Sequence, residues 1–119
     1  LKQAEPLEQF AARVSNALGA GAQIVGSPTA MVKRVAVMGG SGGSSIRRAA
    51  DERADVLLTG ELKHSDAIDA MALGLNILAA GHYETERVVL EPLIRRLQNE
   101  CFDVQYTLSR ADVNPFVRL

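Results

Sequence analysis

The sequence predicts an α/β fold: three layers, α/β/α, with a mainly parallel sheet of about five strands and helices on both faces. Three observations predict it. From Val32 onward, short apolar runs alternate with helical periodicity, so the whole chain reads α-β-β-α-β-α-β-α-β. Three of the apolar runs end in glycine followed by polar residues: Met38-Gly39-Gly40-Ser41, Thr59-Gly60-Glu61 and Ala80-Gly81-His82. Parallel strands end on one rim of a sheet, and ligands of such sheets bind there. Finally, 119 residues at 47% apolar content suffice for one compact domain with its own core.

The elements follow from local pattern. Pro6 to Leu18 is an amphipathic helix, with Leu7, Phe10, Val14 and Leu18 at helical spacing and Pro6 at a first-turn position. Gly19-Ala20-Gly21 ends it. Gln23 to Gly26 is a short strand, and Ser27-Pro28 a turn. Val32 to Met38 is a stronger strand. The glycine-rich run Gly39 to Ser45 leads into a helix over Ser44 to Arg53, capped by Ser44 or Ser45. Asp55 to Gly60 is the third strand. Ser65 to Leu73 is a helix with Ser65 as a plausible cap, stopped by Gly74, and Leu75 to Ala80 is the fourth strand. Glu84 to Gln98 is one long helix, in which Pro92 makes a kink or marks a break one turn in. Phe102 to Leu108 alternates and predicts a half-exposed fifth strand. Asn114-Pro115 marks a turn in the tail.

Composition narrows the function. Aromatics are 4% and tryptophan is absent, so the core is built from Ala, Val, Leu and Ile. The 13 basic and 14 acidic residues are mixed along the chain, which gives no electrostatic support for nucleic acid as a partner. A single cysteine, Cys101, excludes an internal disulfide and a multi-cysteine zinc site. It suits a reducing compartment, and the cytoplasm is the expected location. The apolar runs are too short to span a membrane. The chain starts on Leu1 with helix-like sequence, and is expected to be a piece of a longer protein.

The chemistry gathers around Asn76 to Glu86. His82 and Glu86 are four apart at a helix start and face the same way, as two ligands of one metal ion do. The same spacing also occurs as a solvated pair. The rim set is Ser41, Glu61, His64, His82 and Glu86, which includes both histidines of the chain. Glu61 reads either as a site residue or as a first-turn carboxylate opposing the helix dipole. His64 reads either as a site residue or as a surface residue near a helix start. Glu84, two residues from His82, points elsewhere, and Asp66 and Asp69 read as solvated positions. The Gly39–Ser45 run is neither a dinucleotide fingerprint nor a Walker loop, since Ser45 falls where the last glycine belongs and no Gly-Lys-Ser/Thr ends it. It is either a tight turn or an anion contact through its amides. Two ligands do not hold a metal tightly. A catalytic site takes at least three, supplied here by Glu61 or His64 or by a segment outside this sequence.

Three blocks at their separations, VAVMGGSGGSSI, ADVLLTGELKHSDAIDA and GHYETER, resemble the carboxyl-terminal half of the Nif-three-like (NGG-one-interacting-factor-three-like) family. The bacterial members carry the name type 2 GTP cyclohydrolase I. The resemblance covers residues 5 to 119. It implies a two-lobed full-length protein, a toroidal homohexamer, and two divalent ions (zinc, manganese or iron) per full-length subunit. The metal ligands would be His82 and Glu86 here, with a His pair and an Asp in the amino-terminal half. Glu61 would act behind the ligands or as a base. Gly39, Gly40, Ser41, Gly42 and His64 would meet a small-molecule substrate. Many members have Lys-His-His-Asp where this chain has Lys63-His64-Ser65-Asp66. The function implied is a metal-dependent hydrolase of a nucleotide-like or phosphorylated small molecule, the fragment alone being inactive. The alternatives are an oligomeric scaffold or partner-binding protein with a structural or vestigial metal site, and a nucleotide-binding module using the glycine loop without metal.

Overall fold

The computed structural model describes residues 1–117, which divide into two compact units, Leu1–Glu86 and the residues from Arg87 onward. The first holds a four-stranded sheet in the order β2-β6-β5-β4. Its strands are β2 (Gln23–Val25), β4 (Val35–Ser41), β5 (Val56–Glu61) and β6 (Asn76–Ala79). The pairs β4·β5 and β5·β6 are parallel, and β2 lies antiparallel on β6 at the edge. A separate antiparallel pair joins β1 (Glu5–Pro6) to β3 (Met31–Val32).

Side-chain alternation on β5 and β6 makes the layers. Leu57 and Ile77 are register partners and point to one face. There they pack with Ile46, Ala49, Ala70 and Leu75, from or beside α2 (Ile46–Asp51) and α3 (His64–Ala72). Val56 and Leu78 point to the other face, against Leu7, Phe10 and Ala11 of α1 (Leu7–Leu18) and Val32. Helices therefore cover both faces of a mainly parallel sheet, as the alternation of elements predicts. The α1 face is the Leu7, Phe10, Val14 stripe read from the sequence. Gly19, at φ +67°, ends the helix as its left-handed cap.

Three expectations are corrected. The main sheet has four strands, not about five. Phe102 to Leu108 forms no strand, and Phe102 is 90% exposed. Alternation supplies a face, but a strand also needs a ladder partner, and no described residue beyond Glu100 has one. Val32 to Met38 is not one strand: the amides of Lys33 and Arg34 both donate to the Asp55 carboxylate, at 2.8 and 2.7 Å, and interrupt the run between β3 and β4, which lie in different sheets. The last long helix is two, α4 (His82–Arg87) and α5 (Leu90–Glu100). Pro92 is the third residue of α5, where its missing N–H is one that a first turn leaves unbonded anyway. It starts a helix instead of kinking one.

In the second unit, Arg87 pairs with Asp112 at 3.3 Å, and Val88, Val89 and Leu93 are exposed. No described helix is long and apolar enough to cross a membrane.

Leu78 is fully buried between β5 and α1. Leu78→Ala is expected to destabilise the protein by about 2–5 kcal/mol. Urea unfolding checks this, and a change below about 1 kcal/mol would place the core elsewhere.

Candidate functional site

The site is built where β4 and β5 end and α4 begins. Parallel pairing continues past β6: Ala80 N–H donates to Thr59 O (2.8 Å) and Gly81 N–H to Gly60 O (2.9 Å). Gly81 then takes φ +97°, and α4 starts at His82. This places the His82 ring directly over the end of β5. Its Nδ1 lies 3.0 Å from Glu61 Oε1, and its Nε2 lies 3.3 Å from Glu86 Oε1.

The other wall comes from β4. Met38 pairs with Thr59 but Ser41 with Glu61, so β4 carries one extra residue, a bulge. Within it Gly40 has φ +65°. A side chain there would strike Glu86 Oε1 and come within 3.2 Å of His82 Nε2. A side chain at Gly60 would lie 2.6 Å from Gly40 O, 2.7 Å from Thr85 Oγ1 and 2.8 Å from His82 Cα. Gly60 is where three backbones meet too closely for a Cβ, while at Gly40 the obstruction is the ends of the Glu86 and His82 side chains.

The loop's amides have protein partners. Gly40 N–H donates to Thr85 Oγ1 (3.1 Å), and Gly42 N–H to Glu61 O (3.2 Å). Gly42 packs on the Thr59 side chain and Gly43 on the Asp66 carboxylate. Gly39 faces the carbonyl of Thr85, and Ser41 closes β4 in an exposed position. The backbone here is the bulged end of β4 and the start of the following turn, and its Gly40 and Gly42 donors are engaged.

Of the residues singled out in the sequence, Glu61, His82, Glu86 and Gly40 come together. His64 is the first residue of α3, exposed, and makes no hydrogen bond or ion pair with Glu61, His82 or Glu86. Asp66 is not simply solvated: its carboxylate accepts the Lys63 N–H at 3.0 Å and caps α3, the role expected of Ser65. Thr59 and Thr85 were not legible as site residues. The only signal was a threonine among aliphatic neighbours in β5 and another three residues after His82.

The hydrogen bond to Glu61, reinforced by the nearby charge of Glu86, raises the His82 pKa above its ordinary 6.5. In neutral His82 the same bond places the proton on Nδ1 and leaves the Nε2 lone pair facing Glu86. Two ligands about 2.0–2.1 Å from a tetrahedral ion stand about 3.3 Å apart. The Nε2–Oε1 separation is 3.3 Å, so this pair fits two positions of one ion. Glu61 stands on the opposite ring nitrogen, the position a carboxylate takes when it orients a histidine toward a metal. Among the described residues no three His, Cys, Asp or Glu side chains are arranged to hold one ion.

The profile of the Duf34/NIF3 family (NGG1p interacting factor 3) matches residues 1–115. The chain belongs to the Duf34/NIF3 family. A Bacillus subtilis relative named GTP cyclohydrolase 1 type 2 homolog is 41% identical over the whole of this chain, which covers 33% of that protein. A Deinococcus radiodurans relative of the same name is 37% identical over 79% of the chain and 36% of its own length. The chain thus spans about a third of the curated relatives it matches. A Bacillus cereus crystal structure, of a protein related to NIF3, matches at TM-score 0.83 and 34% identity. It is covered over all of this chain and 34% of its own. A Staphylococcus aureus structure matches at TM-score 0.86 and 31% identity, over 100% of this chain and 35% of its own. The Duf34/NIF3 fold is therefore shared across these proteins.

Two outcomes test the geometry. In metal-free protein, Glu61→Gln is expected to lower the His82 pKa toward 6.5 in an NMR titration, because the largest raising contribution is removed. An unchanged titration would mean that the Glu61 contact is not kept in solution. With the folded pKa raised, the stability from this contact is present below the unfolded value and lost as pH rises through the folded one. Since His82 is well exposed, that slope is small. Gly40→Ala is expected to cost about 1–3 kcal/mol from its positive φ and to push Glu86 away from His82. Chemical denaturation checks the first effect and the His82 ring shifts the second.

Proposed function

We propose that the protein is a metal-dependent hydrolase of a nucleotide-like or phosphorylated small molecule, with a dinuclear centre in the complete protein. The observation that carries this reading is the 3.3 Å convergence of His82 Nε2 and Glu86 Oε1, with Glu61 holding the opposite ring nitrogen. His82 and Glu86 are the ligands from this chain, and the rest come from the remaining two thirds of the protein. Bound zinc, manganese or iron ions would supply Lewis-acid charge and water activation. Glu61 keeps the His82 proton on Nδ1 and presents Nε2. Glu61, whose side chain is 60% exposed, would also be the group that takes a proton from water at the rim. Two carboxylates around one imidazole make the site net negative when His82 is neutral, which favours a cation over an anion in direct contact. The substrate's anionic group would therefore be held away from Glu61 and Glu86; of the candidate substrate residues Gly39, Gly40, Ser41, Gly42 and His64, the exposed Ser41 and His64 are the ones left to meet it, since Gly40 lies against Glu86 and the Gly40 and Gly42 amides are engaged.

A second reading is an oligomeric scaffold in which the metal is structural. It is favoured by exposed Val88, Val89 and Leu93, and by Phe102 and Phe116, 90% and 81% exposed. Subunit assembly, a hexamer by family resemblance, accommodates both readings.

The relatives' name makes GTP the first substrate to assay in complete protein loaded with each metal. His82→Ala and Glu86→Ala are each expected to reduce hydrolysis at least about 100-fold while assembly persists. Hydrolysis that survives both changes while assembly fails would favour the scaffold. The 119-residue chain alone, with two ligands, is expected to bind zinc or manganese weakly and to turn over nothing. Tight binding by it, unchanged in His82→Ala, would overturn the assignment of ligands.

A further inference from the structure

We propose that Thr85 is a positioning residue for the His82–Glu86 pair, acting through the backbone of Gly40; the inference rests on the ligand reading above. Thr85 lies on α4 between the two side chains it would serve. Its Oγ1 accepts the Gly40 N–H at 3.1 Å and donates to Gly81 O at 2.8 Å, with His82 O also within 3.1 Å. The Gly40 carbonyl is held at the same time by the hydroxyl of Thr59, which is fully buried, at 3.0 Å. Both polar groups of one glycine are thus bonded to threonine hydroxyls from different elements. That glycine is the bulged residue at φ +65° whose Cα side faces Glu86 Oε1 and His82 Nε2.

The chain connectivity gives Thr85 a particular task. α4 is a short helix that follows a positive-φ glycine, so its first turn needs an anchor to fix the height of His82 above β5. Thr85 anchors it to β4 through Gly40 and to its own start through Gly81. Helix propensity does not explain a threonine here, since alanine is the better helix former and a hydroxyl bonded to the carbonyl four residues back slightly weakens a helix. What the hydroxyl gains is the contact with the bulge. Without it, β4 and α4 can separate where Gly39 is exposed, and the 3.3 Å ligand spacing is no longer set.

The test measures zinc and manganese affinity of the complete protein by calorimetry in wild type, Thr85→Val, Thr85→Ala and Thr85→Ser. Gly40 amide exchange is followed by NMR in the metal-free state. Loss of the hydroxyl is expected to weaken binding about 10-fold or more, the range for groups that orient ligands, and to speed Gly40 exchange. Thr85→Ser is expected to bind like wild type and to protect Gly40 equally. Alanine favours helix, so Thr85→Ala keeps the test usable if valine prevents folding. Unchanged affinity in the valine and alanine variants overturns the positioning role, and so does a serine variant as weak as they are. A wild type that binds neither metal overturns the ligand reading itself and the positioning role with it, a result distinguishable from a wild type that binds as well as its variants.

Discussion

The contact between Glu61 and the Nδ1 side of His82 is the constraint on which the rim depends. The two residues are far apart in sequence, and they meet because β5 and β6 are neighbouring parallel strands. Glu61 is the last residue of β5, while His82 begins α4 just beyond β6. Adjacent strands lie about 4.8 Å apart, a gap that one imidazole and one carboxylate can bridge. The backbone hydrogen bonds from Ala80 and Gly81 to β5 carry that spacing past the end of β6, so the ring is delivered by the sheet and not by a loop.

The arrangement is not there for stability. The side chains of His82, Glu61 and Glu86 are 45%, 60% and 59% exposed, so solvent screens these pairs and they add little to stability. The fold is held by the two apolar clusters on either face of β5 and β6, far more than by the rim.

Where the sequence was misleading, a long-range partner had intervened, or one that the pattern required was missing, or a local break had been overlooked. Nothing local at Val32 to Met38 shows that the Asp55 carboxylate will take two backbone donors and split the run. The alternation over Phe102 to Leu108 is a strand signal without a ladder to join. Pro92 was read as an interruption because the apolar pattern runs on both sides of it, whereas its place in α5 is set by the break at Val88 and Val89. The glycine-rich run shows the same limit. Its composition is compatible with an anion nest, but Thr85 and the Glu61 carbonyl take the Gly40 and Gly42 donors.

Periodicity and punctuation by themselves determined the α/β class, the apolar strands β5 and β6, the α1 stripe and the glycine-ended rim, because these are local patterns with a period of two or 3.6. The four-residue spacing of His82 and Glu86 was likewise a local property of one helix turn. Tertiary structure alone decided that Glu61 joins His82. It also decided that Gly40 and Gly60 stand where Cβ atoms would collide, and that two threonines grip the bulge. Each of these depends on the register between strands and on a one-residue bulge, and the sequence of a single strand carries no record of either.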